Sequence, residues 1–284
     1  MNRQSLESNA HAKINLGLEI LGRRSDGYHD ISTVIQKIRL HDSISVEPAH
    51  SLSARTLGGQ IPGEENLAYL AGRLLSEFSD GRVGAGIRIR KRIPTAAGLA
   101  GGSSDAATTL ELLNRLWGIG LTEDELRRVG FQAGADVPAL QTGTTVLAAG
   151  LGEIVRSLPS PRRRWLVLTP TPHSLARKTE RMYKRLRPSD FTDGSIVAEI
   201  AGSLEEAGDF DESLMHNGFW RVAGEEIPGL RERAAALREI IGRPVHLAGA
   251  GPTLFCLFDR RADAREAAGE LRSRGIDTIL SATI

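Results

Sequence analysis

Several stretches of the chain hold residue types at spacings that could do chemistry on an anionic substrate. "PTAAGLAGGSSDAA", residues 94–107, concentrates glycine and alanine directly ahead of a run with helical spacing. The first turn of a helix leaves backbone N–H groups unpaired and carries a partial positive charge, so a glycine-rich approach lets a phosphate lie against the backbone. Ser103 and Ser104 add hydroxyls that could meet phosphate oxygens or Mg2+. The loop is no Walker A sequence, because no Lys precedes Ser103, and it lacks the G-x-G-x-x-G fingerprint. A flexible connection is the bland alternative, and glycine content alone supports it equally well. Lys13 is one of only five lysines (13, 37, 91, 178, 184) among 36 basic residues. A compact ammonium suits a phosphate or a developing alkoxide, and a solvated strand face is the competing account. Asp136 sits in "GADVP", where a turn or cap is the ordinary role. Tyr28 and His29 follow the Asp26-Gly27 turn, where aromatic tips bind ligands or simply pack.

The elements that must position these residues follow from periodicity. Residues 12–20, "AKINLGLEI", alternate apolar and polar and read as a half-buried strand, with Lys13, Asn15, Gly17 and Glu19 on its polar face. "ISTVIQKIRL" reads as the returning strand of a hairpin. "ENLAYLAGRLLSEF" has helical spacing in Leu67, Leu70, Leu74 and Phe78, and "GIRIRKRI" reads as a strand stopped by Pro94. The glycine loop therefore falls between a strand and a helix running to Trp117, with Ser103 or Ser104 as its cap. Thr122 and Glu125 form a capping box for the next helix. "LPSPRRRW" interrupts the pattern and divides the chain into residues 1–160 and 161–284. Beyond it come a strand at "WLVLTP", helices near 177–187, 195–206 and 229–241, strands at "PVHLAG" and "TLFCLF", a helix at "DAREAAGELRSR" and a strand at "DTILSAT". That is the order of a split βαβ, ferredoxin-like unit with extra helices.

Composition narrows the function classes. The chain has 284 residues, 40% hydrophobic and 25% charged, enough for a substantial core and two domains. A net charge of +1 gives no electrostatic case for nucleic acid or an acidic membrane surface. The single cysteine, Cys256, lies in the apolar "LFCLF" and reads as a buried small hydrophobe. The N-terminus lacks the apolar segment of a signal peptide, and no stretch approaches the ~20 apolar residues of a membrane span. A cytoplasmic protein is the expectation.

Taken together, "PTAAGLAGGSSDAA" resembles the phosphate-binding motif of the GHMP kinases, the superfamily of galactokinase, homoserine kinase, mevalonate kinase and phosphomevalonate kinase, and "HLAGAGPTLF" resembles its C-terminal glycine motif. "AKINLGLEILGRRSDGYHDISTV", with "GADVP", is similar to the branch acting on the cytidine diphosphate derivative of methylerythritol in the non-mevalonate route to isoprenoid precursors. The resemblance implies an α+β, two-domain fold: an N-terminal α/β domain with the phosphate loop, a C-terminal ferredoxin-like domain, and the active site in the cleft between them. It implies ATP-dependent phosphorylation of the substrate's 2-hydroxyl, with Mg2+ held at Ser104. Asp136 then takes the hydroxyl proton, and Lys13 orients the hydroxyl and steadies the charge. Pro94, Thr95, Ala96, Ala97, Gly98, Leu99, Ala100, Gly101, Gly102, Ser103 and Ser104 would hold ATP, with Asn66 near the adenine. Asn15, Tyr28, His29 and Tyr183 would hold the substrate, the cytosine lying between the two tyrosine rings with its edge read by His29. A homoserine or mevalonate type of kinase is the alternative within the superfamily; a nucleotide-binding interaction protein on a decayed kinase scaffold is the alternative outside it. Ala100 stands where glycine is common, Ala250 and Pro252 where serines are, and Trp220 where an acidic residue is frequent.

Overall fold

The first hairpin is longer and more deeply buried than alternation predicts. In the computed structural model, which describes residues 5–57, 66–79, 84–171 and 178–284, β1 (Leu6–Arg23) pairs antiparallel with β2 (His29–Pro48). Gly27 turns the hairpin at φ 89°, and the Asp26 carboxylate accepts from the Tyr28 N–H at 3.0 Å. Residues 12–20 are buried on both faces, so the strand is not half-buried, and three register shifts interrupt its alternation. Its polar residues are covered because this strand lies between the two halves of the molecule. Buried Glu19 accepts from the N–H groups of Gly194 and Val197 at 3.2 and 2.7 Å, so a β1 carboxylate caps the helix that starts at Ser195.

β2 has three partners. Besides β1 it pairs with β4 (Ala85–Arg90) through residues 43–48 and with β5 (Thr145–Gly150) through residues 31–36; β3 (Ser53–Leu57) joins β4 in parallel and β6 (Ile154–Leu158) joins β5. Against this sheet pack α1 (Leu67–Ser76), α2 (Gly101–Trp117), α3 (Glu123–Ala133) and α4 (Val137–Thr142). The capping box of Thr122 and Glu125 starts α3 as expected. Helix α1 buries Ala68, Ala71 and Leu75 fully and packs Leu67, Leu70 and Leu74 part-buried against the same core; of the residues at leucine spacing only Phe78 is exposed. Small residues win there because α1 crosses α2 closely: a Cβ on Gly72 would already meet Leu113 at 3.1 Å. β3, β5, β6 and α4 carry no strong hydrophobic period.

The second sheet runs β10 (Ile279–Ala282), β7 (Trp165–Thr169), β9 (Leu254–Phe258), β8 (His246–Leu247), all antiparallel. This is the strand order of a split βαβ unit. It is covered by α5 (Lys178–Lys184), α6 (Ser195–Ala207), α7 (Trp220–Glu226), α8 (Leu230–Ile241) and α9 (Arg261–Ser273), of which α7 has no signal in periodicity. The expected helix start at 177 lies outside the described residues. Cys256 is buried in β9, and burial pushes its thiol up to about 12. A third core joins the halves: Ile14 and Leu16 of β1, Ile93 just before the glycine loop and Leu99 within it pack with Leu166, Leu168, Ile200 and Phe255. The cleft walls are thus held by one apolar seam.

Candidate active site

The glycine loop reaches α2 through two left-handed alanines. Ala96 and Ala100 both sit at φ 55°, and Gly98 at φ 84°. Ala100 is the N-cap and accepts the first helical bond, from the Ser104 N–H at 2.9 Å, so the N–H groups of Gly101, Gly102 and Ser103 precede the helical ladder. Neither serine caps the helix, a correction to the expected role: both lie inside the first turn. The Ser104 hydroxyl donates to the His11 carbonyl at 2.7 Å and is buried away from the cleft, which leaves Ser103 as the cleft-side hydroxyl. Leu99 likewise points into the core, while Pro94, Thr95, Ala96, Ala97, Gly98, Ala100, Gly101 and Gly102 line the cleft.

That cleft encloses about 750 Å³. β1 supplies Lys13, which is 4% exposed and donates to Asn15 Oδ1 at 3.0 Å; Asn15 donates to Thr33 Oγ1 at 2.8 Å, and Thr33 to the Gly17 carbonyl at 2.6 Å. This chain of bonds fixes the ammonium. Asp136 Oδ2 stands 3.6 Å from Lys13 Nζ, with 41% of its side chain exposed. Asp136 begins α4 without accepting a cap bond, so its carboxylate is free to face the cleft. Asn66 caps α1, accepting from the Ala68 N–H at 3.0 Å, and lines the end of the cleft nearest Leu67 and Gly102.

Lys91 and Asp105 also line the cleft, and periodicity gave no reason to single them out. The Lys91 ammonium donates to Asp42 and Asp105 at 2.5 and 2.8 Å. Burial pushes the Asp105 carboxyl up to about 7, against the pull of Lys91; burial would lower Lys91, but the two carboxylates outweigh it and raise it. Lys178 and Thr179, from the start of α5, complete the opposite wall.

A second cavity of about 970 Å³ holds Tyr28, His29, Tyr183, Phe131 and Phe191. Ala135, Leu151, Thr179 and Tyr183 line both cavities, so the two run together beside Asp136. The aromatic residues meet differently from the expected pair of facing tyrosines. His29 stacks on Tyr183 with centroids 5.2 Å apart and planes 27° apart, and Phe219 meets Tyr183 edge-on at 4.9 Å. Tyr28 takes no part in that stack and is 64% exposed. Burial lowers the His29 imidazole, helped by Arg23, and burial raises the Tyr183 phenol. A stacked ring pair in a cavity that also carries Arg23, Glu180 and Lys184 suits a planar ring bearing polar edges, such as a nucleobase.

Among the described residues no cluster of three or more His, Cys, Asp and Glu side chains is present, and no helix is long and apolar enough to cross a membrane. Comparison with known proteins adds family to this geometry. The GHMP kinases N terminal domain matches residues 66–153, and the GHMP kinases C terminal domain matches residues 196–277. The 4-diphosphocytidyl-2-C-methyl-D-erythritol kinase of Dehalococcoides mccartyi is 37% identical, covering 97% of both chains, and that of Carboxydothermus hydrogenoformans is 36% identical over 90% of both. A crystal structure of 4-(cytidine 5'-diphospho)-2C-methyl-D-erythritol kinase superposes with a TM-score of 0.81 at 32% identity, covering 98% of this chain and 99% of that one. Homoserine kinase from Cytophaga hutchinsonii, at 16% identity and a TM-score of 0.73 over 99% and 94% of the two chains, shares the fold.

Proposed function

Since the chain belongs to the GHMP kinase family, in the branch of its 4-diphosphocytidyl-2-C-methyl-D-erythritol kinase relatives, we propose that it transfers the γ-phosphoryl group of ATP to the 2-hydroxyl of 4-diphosphocytidyl-2-C-methyl-D-erythritol. The chain is an ATP-dependent small-molecule kinase with the two-domain α+β fold of that family. The observation that carries the substrate is the union of two cavities at Asp136: one with an aromatic wall of His29 and Tyr183 that can meet a nucleobase, and a glycine-lined one suited to phosphates. A cytidine diphosphate ester laid along both places its base at His29 and Tyr183 and its polyol beside Asp136. Homoserine and mevalonate have no ring to occupy the aromatic cavity.

In this reading the triphosphate lies on the N–H groups of Gly101 to Ser103 and on the helix dipole of α2. Asp136 accepts the proton of the attacking hydroxyl while the new O–P bond forms and the bond to the ADP oxygen breaks. Lys13, held by Asn15, donates to the hydroxyl oxygen and balances its developing charge. Positioning and charge supply most of the rate in such transfers. Mg2+ fits the oxygen donors present: it keeps several waters and takes few protein carboxylates. With Ser104 bonded to His11, the Ser103 hydroxyl and the phosphate oxygens would hold it, and it would neutralise charge on the β- and γ-phosphates. We place the domain boundary at residues 160 and 161, between the end of β6 and the start of β7. A cytoplasmic location fits the pathway of the relatives. The test is ADP release in a coupled assay with the cytidine compound, homoserine, mevalonate and galactose: turnover of the first alone is expected, and turnover of homoserine or mevalonate without it would refute the substrate assignment.

A further inference from the structure

Lys178, the first residue of α5, faces the cleft from the C-terminal half. Its ammonium donates to the Ala96 carbonyl of the phosphate loop at 2.7 Å and to the Gly251 carbonyl of the C-terminal glycine loop. Those loops touch through backbone: the Thr253 N–H donates to the Ala97 carbonyl at 3.3 Å, and a Cβ on Gly98 would fall 2.1 Å from the Ala248 carbonyl oxygen. An ammonium has three N–H donors, and among the described residues two of them are taken. The other charged groups on this cleft are matched: Lys91 with Asp42 and Asp105, and Lys13 with Asp136. The Tyr183 phenol is the remaining titratable group there. Among the described residues no carboxylate pairs with Lys178, so a buried ammonium meets only carbonyl dipoles, an arrangement that costs free energy unless an anion joins it.

We propose that Lys178 contacts the terminal phosphates of the nucleotide with its third N–H, supplying from the C-terminal half the lysine that the glycine loop lacks. The inference rests on the placement of ATP on that loop given above. Burial, with the charge of Lys13, pulls Lys178 down to about 8, and a polyanion beside it raises it again. ATP binding near pH 8 therefore draws in a proton.

Calorimetric titration of the wild-type chain and Lys178→Met with ATP, ADP and AMP tests this. A charge-assisted hydrogen bond is lost, so ATP affinity is expected to fall about 10- to 100-fold, ADP affinity less, and AMP affinity not at all. Repeating the wild-type ATP titration at pH 8 in two buffers of different ionisation enthalpy should show proton uptake, absent with AMP and absent in Lys178→Met. A residue that merely ties the two loops would weaken ATP and AMP alike and give no uptake; that result overturns the proposal. Should Lys178→Met fail to fold, the wild-type proton uptake decides alone: its absence overturns the proposal and its presence with ATP but not AMP supports it. A wild-type chain that binds no ATP overturns the placement of ATP on the loop as well, whereas normal ATP binding without a Lys178 signature overturns this inference only.

Discussion

Replacing Asp136 by Asn keeps shape and removes one negative charge from the proposed proton acceptor. At 3.6 Å from Lys13, two unit charges in an effective dielectric of about 20 interact by about 4 to 5 kcal/mol. Solvent on the 41% exposed carboxylate screens most of that, leaving about 1 kcal/mol as for surface pairs. Asp136 caps nothing, so the folding loss should stay near that figure. The loss in kcat should be far larger, about 10²- to 10⁴-fold, which is about 3 to 5.5 kcal/mol of barrier. ATP affinity should hold, because the phosphate loop sits on α2 and not on α4. Lys13→Met should lower kcat comparably, and it also leaves Asn15 Oδ1 without its donor, costing about 1 to 3 kcal/mol of stability. The decisive measurement is the double variant. Groups that act together on one proton cannot each be lost in full, so the double variant should fall little below the worse single one. Fully additive losses, or an Asp136→Asn variant with normal kcat, would refute the catalytic pairing.

Two further outcomes follow from the loop and its neighbours. Ala100→Gly should stabilise the protein by up to ~1 kcal/mol in urea unfolding, since an L residue in the left-handed region costs about 1 to 2 kcal/mol, partly offset by the added freedom of glycine when unfolded; a loss of stability would show that the alanine methyl is needed. Asp105 holds its proton in the folded chain up to about 7, whereas an unfolded carboxylate loses it near pH 4, so the folded state binds more protons between those values and stability falls as pH rises across them. Asp105→Asn removes that dependence, so its stability relative to wild type should be higher at pH 8 than at pH 5; parallel pH profiles would refute the assignment.

The strands and helices with a clear apolar pattern were legible, and those without one were not. β1, β2, α2 and α3 show apolar residues at strand or helix spacing, and β7 and β9 are short continuous apolar runs buried along nearly their whole length. β3 is an edge strand of exposed "SARTL", and β5 is "TVLAAG", whose small residues lie between two neighbours; neither shows a hydrophobic period. The double-sided burial of β1 was hidden for a different reason. Period two separates the faces of a strand but says nothing of what covers the polar one, and here α6 covers Gly17 and Glu19 through contacts between residues nearly 180 positions apart.

At the site, residue type was a better guide than motif alone. In a chain that places arginine almost everywhere a cation is needed, three of the five lysines, Lys13, Lys91 and Lys178, line one cleft. An ammonium is compact and changes protonation readily when buried, and an arginine fork at Lys13 or Lys178 would have to fit more atoms among closely packed backbone. The scarcity of lysine marks Lys13 and applies equally to the other two. Sequence alone does not single out Lys91 and Lys178, because their partners, Asp42 and Asp105 for Lys91 and the Ala96 and Gly251 carbonyls for Lys178, come together only when the strands and the two glycine loops have closed on each other. The choice between Ser103 and Ser104 was hidden likewise: adjacent hydroxyls look alike in sequence, and only the helix phase of α2 turns one toward the cleft and the other toward His11.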